Sequence, residues 1–137
     1  MSDVNEWNQR IIDEFRANDG TVGGQFEGAP LLLLHTTGAR TGKERINPVM
    51  YRADGDQFVV FASKAGAPTN PDWFHNLLAD PDATIEVGSE TIQVRAAVAN
   101  EADRERLWSL QKEEFPGFAG YEAATTRQIP VVILARA

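Results

Sequence analysis

Residues 45–63 read RINPVMYRADGDQFVVFAS. Two runs rich in β-branched and aromatic residues, 45–53 and 57–63, meet at Asp54-Gly55-Asp56. An Asp-Gly junction between such runs predicts a β-hairpin, because glycine supplies the positive φ that a tight turn needs. Upstream, LLLLHTT (31–37) is an apolar run too short for a typical helix and reads as a strand buried on both faces. Downstream, ATIEV (83–87) and ETIQVRAAVA (90–99) pair as a second hairpin across Gly88 and Ser89, and IPVVILA (129–135) forms a last strand. About six strands in hairpin-rich order, with few helices, predict a mostly β (α+β) fold: a small, mainly antiparallel barrel with peripheral helices. The elements do not alternate regularly, which argues against a doubly wound parallel sheet.

Three helices complete the reading. In 3–17, Val4, Trp7, Ile11, Ile12 and Phe15 fall on one apolar stripe, with Ser2 or Asp3 as the cap. Residues 18–30 hold four glycines and a proline and read as a loop. After a further loop at 64–71, Asn70 is placed to cap, Pro71 suits a first helical position, and 72–79 is a short helix. Asn100 caps a helix at 101–114, with Asp103 at the capping-box position. FPGFAGY (115–121) reads as an aromatic, glycine-broken loop.

The chain has 137 residues, enough for one domain with a sizeable core. The absence of cysteine removes disulfide, zinc-thiolate and thiol chemistry. The longest apolar runs fall far short of a membrane-spanning helix, and the acidic MSDVNEW start lacks the pattern of a secretion signal. An intracellular, cytoplasmic protein is therefore expected. A net charge of −7 argues against nucleic acid as a partner, since phosphate neutralisation needs a broad basic face.

Within this acidic chain, Arg40, Lys43 and Arg45 crowd six positions around a glycine turn. GARTGKE (38–44) resembles a triphosphate loop but is one residue short, and Glu44 stands where a magnesium-binding hydroxyl is needed. The elements of a simpler anion site remain: Gly38 and Gly42 allow the backbone to turn and expose N–H groups as a nest, and the cations add charge. The same spacing fits a hairpin loop with solvated cations equally well. A second stretch, ASKAGAPTNPDWFHNL (62–77), places Ser63 and Lys64 at a strand end, then small residues, then a helix N-terminus, which together suit a planar anionic ligand. In the third, Phe115, Phe118 and Tyr121 recur every three residues, either as a helical-turn stripe packed on the core or as an apolar lid over a flat substrate. His35 and His75, the two histidines, lack metal-ligand spacing and read as plain strand and helix residues, so no metal site is expected. There is no G-x-S-x-G elbow, and the acidic pairs Asp54/Asp56 and Glu113/Glu114 read as solvated surface.

Together, LLLLHTTGARTGKERINPVMY, ASKAGAPTNPDWFHNL, FPGFAGY and TTRQIPVVIL, in this order from about residue 30 to the C-terminus, resemble the deazaflavin-dependent nitroreductases of actinobacteria, also described as quinone reductases using coenzyme F420. The resemblance implies a single split β-barrel cofactor-binding domain over 1–137. It also implies an oxidoreductase that passes hydride from the reduced 8-hydroxy-5-deazaflavin, coenzyme F420, to a quinone-like or nitroaromatic acceptor. By resemblance, Arg40, Lys43 and Arg45, with Thr41 and Gly42, hold the phosphate and glutamate tail, and Asn47, Pro48, Val49 and Met50 line the ring. Ala62, Ser63 and Lys64, with the backbone of Ala65, Gly66, Ala67 and Pro68, contact ring and phosphate, while Trp73 and Asn76 support the site. Phe115, Phe118 and Tyr121 face the acceptor, with Ser63 and Tyr121 polarising it. Such a site needs no histidine, cysteine or metal, because the cofactor carries the redox chemistry. Phenylalanine stands at 115 and 118 where the nitroimidazole-activating members have tyrosine, so those positions cannot donate a hydrogen bond to a nitro group. Two alternatives stay open: a flavin mononucleotide oxidoreductase on a similar barrel, and a non-catalytic deazaflavin carrier. For helix 3–17, packing on the barrel is preferred to contact with the inner face of the plasma membrane, because its polar residues are largely acidic or neutral. The oligomeric state is not read from the sequence.

Overall fold

The Asp54-Gly55-Asp56 junction turns as the sequence predicts. In the computed structural model, which describes residues 3–20, 22–23, 30–39, 41–63, 70–125 and 128–137 and side chains from residue 8 onward, β2 (Glu44–Asp54) pairs antiparallel with β3 (Gln57–Phe61). Asp54 stands opposite Gln57, and Gly55 takes φ +62° at the first central position. Gly88 takes φ +59° at the same position between β4 (Asp82–Val87) and β5 (Glu90–Val98). Both placements match the glycine demand of a type II′ turn.

With β1 (Leu31–Thr37) and β6 (Val131–Arg136), the strands close a barrel in the order β1-β2-β3-β6-β5-β4, every pair antiparallel. This is the split β-barrel architecture expected, and closure leaves no long free edge. Pro48 is tolerated in β2 for a local reason. The Tyr51 N–H donates toward β1, to the Pro30 carbonyl at 3.1 Å, so alternation turns the Pro48 nitrogen to the other side. There the described pairing with β3 runs only from Tyr51–Val60 toward the turn.

The LLLL run lacks alternation because both faces of β1 are covered. Leu32 and Leu34 face the barrel interior with Val60, Ile85, Val132 and Leu134. Leu31 and Leu33 face outward beneath α1 (Asp3–Ala17), against Ile12, Phe15 and Val22. All four leucines are at most 4% exposed, and each contributes about 1.5–3 kcal/mol by leaving water. Of the predicted α1 stripe, Ile12 and Phe15 are buried and Ile11 is partly so; the Val4 and Trp7 side chains and the Ser2 cap lie outside the described residues. The helix packs on the barrel, as preferred from sequence. No described helix is long and apolar enough to cross a membrane.

α2 (Asp72–Ala79) lays Trp73, Phe74 and Leu77 against the interior cluster. Its bounds are those read from the sequence, but the cap differs: Pro71, with extended ψ 154°, is the N-cap residue in place of Asn70. α3 (Glu101–Glu114) starts at the predicted cap, the Asn100 side chain accepting from the Asp103 N–H at 2.8 Å. Arg104, Leu107, Trp108 and Gln111 form its buried face.

The expected loop at 115–121 is replaced by α4 (Gly117–Ala123). Glycines 117 and 120 disfavour a helix locally, but packing overrides them. Phe118 is buried against Phe61, Trp108 and Val131. Glu122 accepts from the Trp108 indole N–H at 2.6 Å and from Lys112 at 3.0 Å, stapling α4 to α3. Of the two readings of these aromatics, the helical-turn stripe is the one present.

Candidate functional site

A cleft of about 720 Å³ lies between α1, the β1–β2 turn and the start of α2. Asn8, Gln9, Ile12 and Arg16 form one wall; Gly38, Ala39, Thr41 and Glu44–Asn47 form another; Asp72, His75 and Asn76 close it from α2.

The turn is tightly closed. The Gly38 N–H donates to the Lys43 carbonyl (2.8 Å), the Gly42 N–H to the Gly38 carbonyl (2.9 Å) and the Lys43 N–H to the Thr41 hydroxyl (3.2 Å). A Cβ on Gly38 would stand 2.8 Å from Thr41 Oγ1 and 3.2 Å from the Lys43 carbonyl, so a larger residue there would have to turn the Thr41 side chain and shift the turn. The Ala39 N–H donates outward to Asn76 Oδ1 at 2.9 Å. These four amides are therefore consumed inside the protein and form no anion nest. That corrects the sequence expectation: closing a short glycine turn uses the N–H groups it was expected to expose. Charge available to an anion comes from the side chains.

Lys43 and Arg45 are exposed and make no ion pair among the described residues. Their situation differs from that of Arg16, Arg52, Arg95, Arg104, Arg106 and Lys112, each bonded to a carboxylate. Arg45 lines the cleft. Arg40 lies outside the described residues. Asn76, 7% exposed, is positioned by two bonds: its Oδ1 accepts from Ala39, and its Nδ2 donates to the buried Thr36 hydroxyl at 3.1 Å. It ties α2 to the turn that carries the cations.

The other predicted residues lie as follows. Strand alternation divides the four of β2: Asn47 lines the cleft, Val49 packs with the interior cluster, and Met50 packs on the outer face beside α1 and α4, the face Pro48 shares. Ala62 and Ser63 are buried just past the end of β3. Lys64, Ala65, Gly66, Ala67 and Pro68 lie outside the described residues. Trp73 is buried in the interior cluster. Phe118 sits edge-on to Phe61 (5.8 Å), Trp108 (6.0 Å) and Tyr121 (5.1 Å). Phe115 and Tyr121 are half-buried beside it, and the Tyr121 hydroxyl has no hydrogen bond among the described residues. Ser63, Phe115, Phe118 and Tyr121 do not line the cleft.

One network was missed from sequence. Glu86 of β4 accepts from Arg16 Nε at 3.1 Å and Nη2 at 2.8 Å, and its Oε2 lies 2.6 Å from His35 Nε2. The other imidazole nitrogen, Nδ1, is 3.2 Å from Glu44 Oε2. The Arg16 hydrogen bond, reinforced by that of His35 and opposed by burial, holds the Glu86 carboxyl below the usual carboxylate range. Reciprocally, the Glu86 bond raises the Arg16 guanidinium. Four residues spread from 16 to 86 carry no spacing signal.

A split barrel with an exposed, unpaired arginine lining a polar cleft, and Lys43 on the adjoining turn, is suited to a small anionic ligand. The comparisons narrow this. The chain belongs to the F420H2-dependent quinone reductase family, whose model matches residues 7–136. It is 37% identical to an F420H2-dependent quinone reductase of Mycobacterium tuberculosis over 98% of this chain and 99% of that one. Among solved structures, one described as a domain-swapped dimer is similar at TM-score 0.72 and 34% identity, covering 96% of each chain. An F420H2-dependent reductase, FDR-A, is similar at TM-score 0.70 and 35% identity, over 77% of this chain and 93% of that one. The chain is thus an F420H2-dependent oxidoreductase, and coenzyme F420 is its cofactor.

Proposed function

We propose that this chain holds the anionic tail of F420H2 at the cleft between α1 and the β1–β2 turn and reduces a quinone-like acceptor. The observation that carries the reading is the pair of exposed cations, Lys43 and Arg45, left without a carboxylate partner in a chain with 20 acidic and 13 basic residues. Excess carboxylate is available, and six other basic side chains take it; Arg10 and Arg136 also lack an ion pair among the described residues, but neither lines the cleft as Arg45 does. A polyanion satisfies such cations, and arginine grips a phosphate or carboxylate through two parallel bonds. Arg40 adds a third charge within the same turn by sequence.

When bound, the reduced deazaflavin supplies the hydride; the protein binds, orients and excludes water. Asn47 sits at the cleft end of β2, on the interior-facing side shared with Val49, and leads from the tail site toward the ring. Ser63, at the exit from β3, and Tyr121, on α4, are the hydroxyls assigned to the acceptor. The Tyr121 hydroxyl is free of other described partners and is available to donate to a quinone oxygen as charge develops there. Phe118 serves as the packed base that holds Tyr121. The family match does not favour the flavin mononucleotide or carrier alternatives. A cytoplasmic location fits, because the apolar residues Ile12 and Phe15 are spent on the barrel and are not free for lipid.

The test is a titration of oxidised F420, followed by fluorescence, into the wild-type chain and Arg45→Ala. A loss of about 1–3 kcal/mol in binding is expected from one charge-assisted contact, with wild-type affinity falling as salt rises. Equal affinity of the two proteins at low salt would remove Arg45 from the site.

A further inference from the structure

His35 stands between two carboxylates, and the network it joins is half inside and half behind the cleft. Arg16 and Glu44 line the cleft; His35 and Glu86 do not. His35 shares the outward face of β1 with Leu31 and Leu33, beneath α1. The groups that face it are Glu44 from β2, Glu86 and the neutral Thr84 from β4, and Arg16 from α1 through Glu86. Asp13 of α1 acts on Arg16 from the same side. Arg45, one residue from Glu44, points to the opposite face of β2.

The two histidine contacts are unequal. Both partners in the Glu86 contact are well covered, with side chains 15% and 17% exposed, at 2.6 Å. In the Glu44 contact the carboxylate is 67% exposed, at 3.2 Å. An imidazolium donates from both nitrogens; a neutral imidazole carries one N–H and turns a lone pair toward the other carboxylate. On loss of the proton, the buried Glu86 bond keeps the N–H, and Glu44, free to reach water, is the partner released.

We propose that His35 is a proton-dependent positioning residue for the cofactor cleft: protonated, it bridges Glu86 and Glu44, steadies Arg16 of α1 and holds the Glu44 charge in a salt bridge; neutral, it keeps Glu86 and frees the Glu44 charge at the cleft that Arg45 also lines. The cleft therefore takes an anionic tail more tightly when His35 is protonated. This inference rests on the tail site proposed above. The consequence is a protein whose grip on its cofactor weakens when His35 gives up its proton.

The experiment titrates oxidised F420 into the full chain from pH 5.5 to 8.5, in wild type, His35→Gln and Glu44→Gln. The ligand's own titration is common to all three, so only differences between the profiles matter. Affinity of the wild type should fall by about two- to fivefold more than that of His35→Gln across the window, the size that one partly exposed ion pair supports. Glu44→Gln should lose the extra pH step while keeping tight binding at the alkaline end. Amide exchange of residues 8–17 in the cofactor-free protein provides a second readout. It should show α1 less protected in His35→Gln than in wild type at acid pH, with a smaller gap at alkaline pH, where the neutral imidazole keeps its bond to Glu86 but loses its charge. Parallel binding profiles in folded proteins, or α1 protection indifferent to His35 at acid pH, would overturn the proposal. Absence of F420 binding by wild type at every pH would instead overturn the tail site, and the exchange data would still decide whether His35 latches α1.

Discussion

Asn76→Ala is the substitution from which the architecture of the site predicts most. The carboxamide is 7% exposed and uses both ends, accepting from the Ala39 N–H at 2.9 Å and donating to the Thr36 hydroxyl at 3.1 Å. Truncation deletes two hydrogen bonds of about 1 kcal/mol each and leaves an amide in a part-buried place without its acceptor, adding about another 1 kcal/mol at most. The expected loss is about 2–3 kcal/mol. With an unfolding entropy of about 2.1 cal/mol/K per residue, a chain of 137 residues has about 0.29 kcal/mol/K in total. The Tm should therefore fall by about 7–10 °C in calorimetry. Thr36→Val removes only one of the two bonds and should lower Tm by roughly half as much. A double-mutant cycle between the two sites should give a coupling near 1 kcal/mol, since they share a bond. F420 affinity should fall as well, because the freed turn no longer presents Arg45 and Lys43 in one arrangement. A Tm within about 2 °C of wild type, with unchanged affinity, would refute the claim that Asn76 holds the turn.

Tyr121→Phe should leave F420 affinity unchanged and lower kcat with menadione by about ten- to a hundredfold, the value of a hydrogen bond to a charged group; a wild-type turnover number would remove the hydroxyl from acceptor polarisation. Phe118→Ala opens a cavity among Phe61, Trp108 and Tyr121 and should cost about 3–5 kcal/mol, read as a shift in urea midpoint without a change in m-value. Acid should release α1. The Glu86 carboxyl is held below its ordinary range, so the stability it adds is present above the unfolded-state pKa and is lost as pH falls through the lower folded-state value. Thermal melts should thus show wild type losing its advantage over Glu86→Gln on acidification through that range, and a constant gap down to pH 2 would contradict the linkage.

Much of the fold was readable because its signals are local. Gly55 and Gly88 mark their own turns, and Asn100 caps the helix that follows it three residues from Asp103. The 115–121 segment was misread for the converse reason. Its glycines speak locally against a helix, while the forces that make one, Phe118 beneath Trp108 and Glu122 on Lys112, come from another element. The basic turn was half legible. Three cations within six positions fit an anion site and a solvated loop equally well, and the fate of the backbone amides depended on how the turn closed and on Asn76, 37 residues from Ala39.

By itself, then, the sequence determined the strand order and the helices other than α4, the hairpin turns, the absence of thiol chemistry and the concentration of positive charge in an acidic chain. Each of these rests on neighbours within a few residues. Only the tertiary structure decided the closure of β4 onto β1, the cleft between α1 and the β1–β2 turn, and the bridge of Glu44, His35, Glu86 and Arg16. Those depend on barrel registers and helix docking, which bring together residues up to 70 positions apart. The physical reason is that turn and helix propensities act over a few bonds, whereas a carboxylate meets its partner only after the apolar faces of Leu31, Leu33, Ile12 and Phe15 have packed.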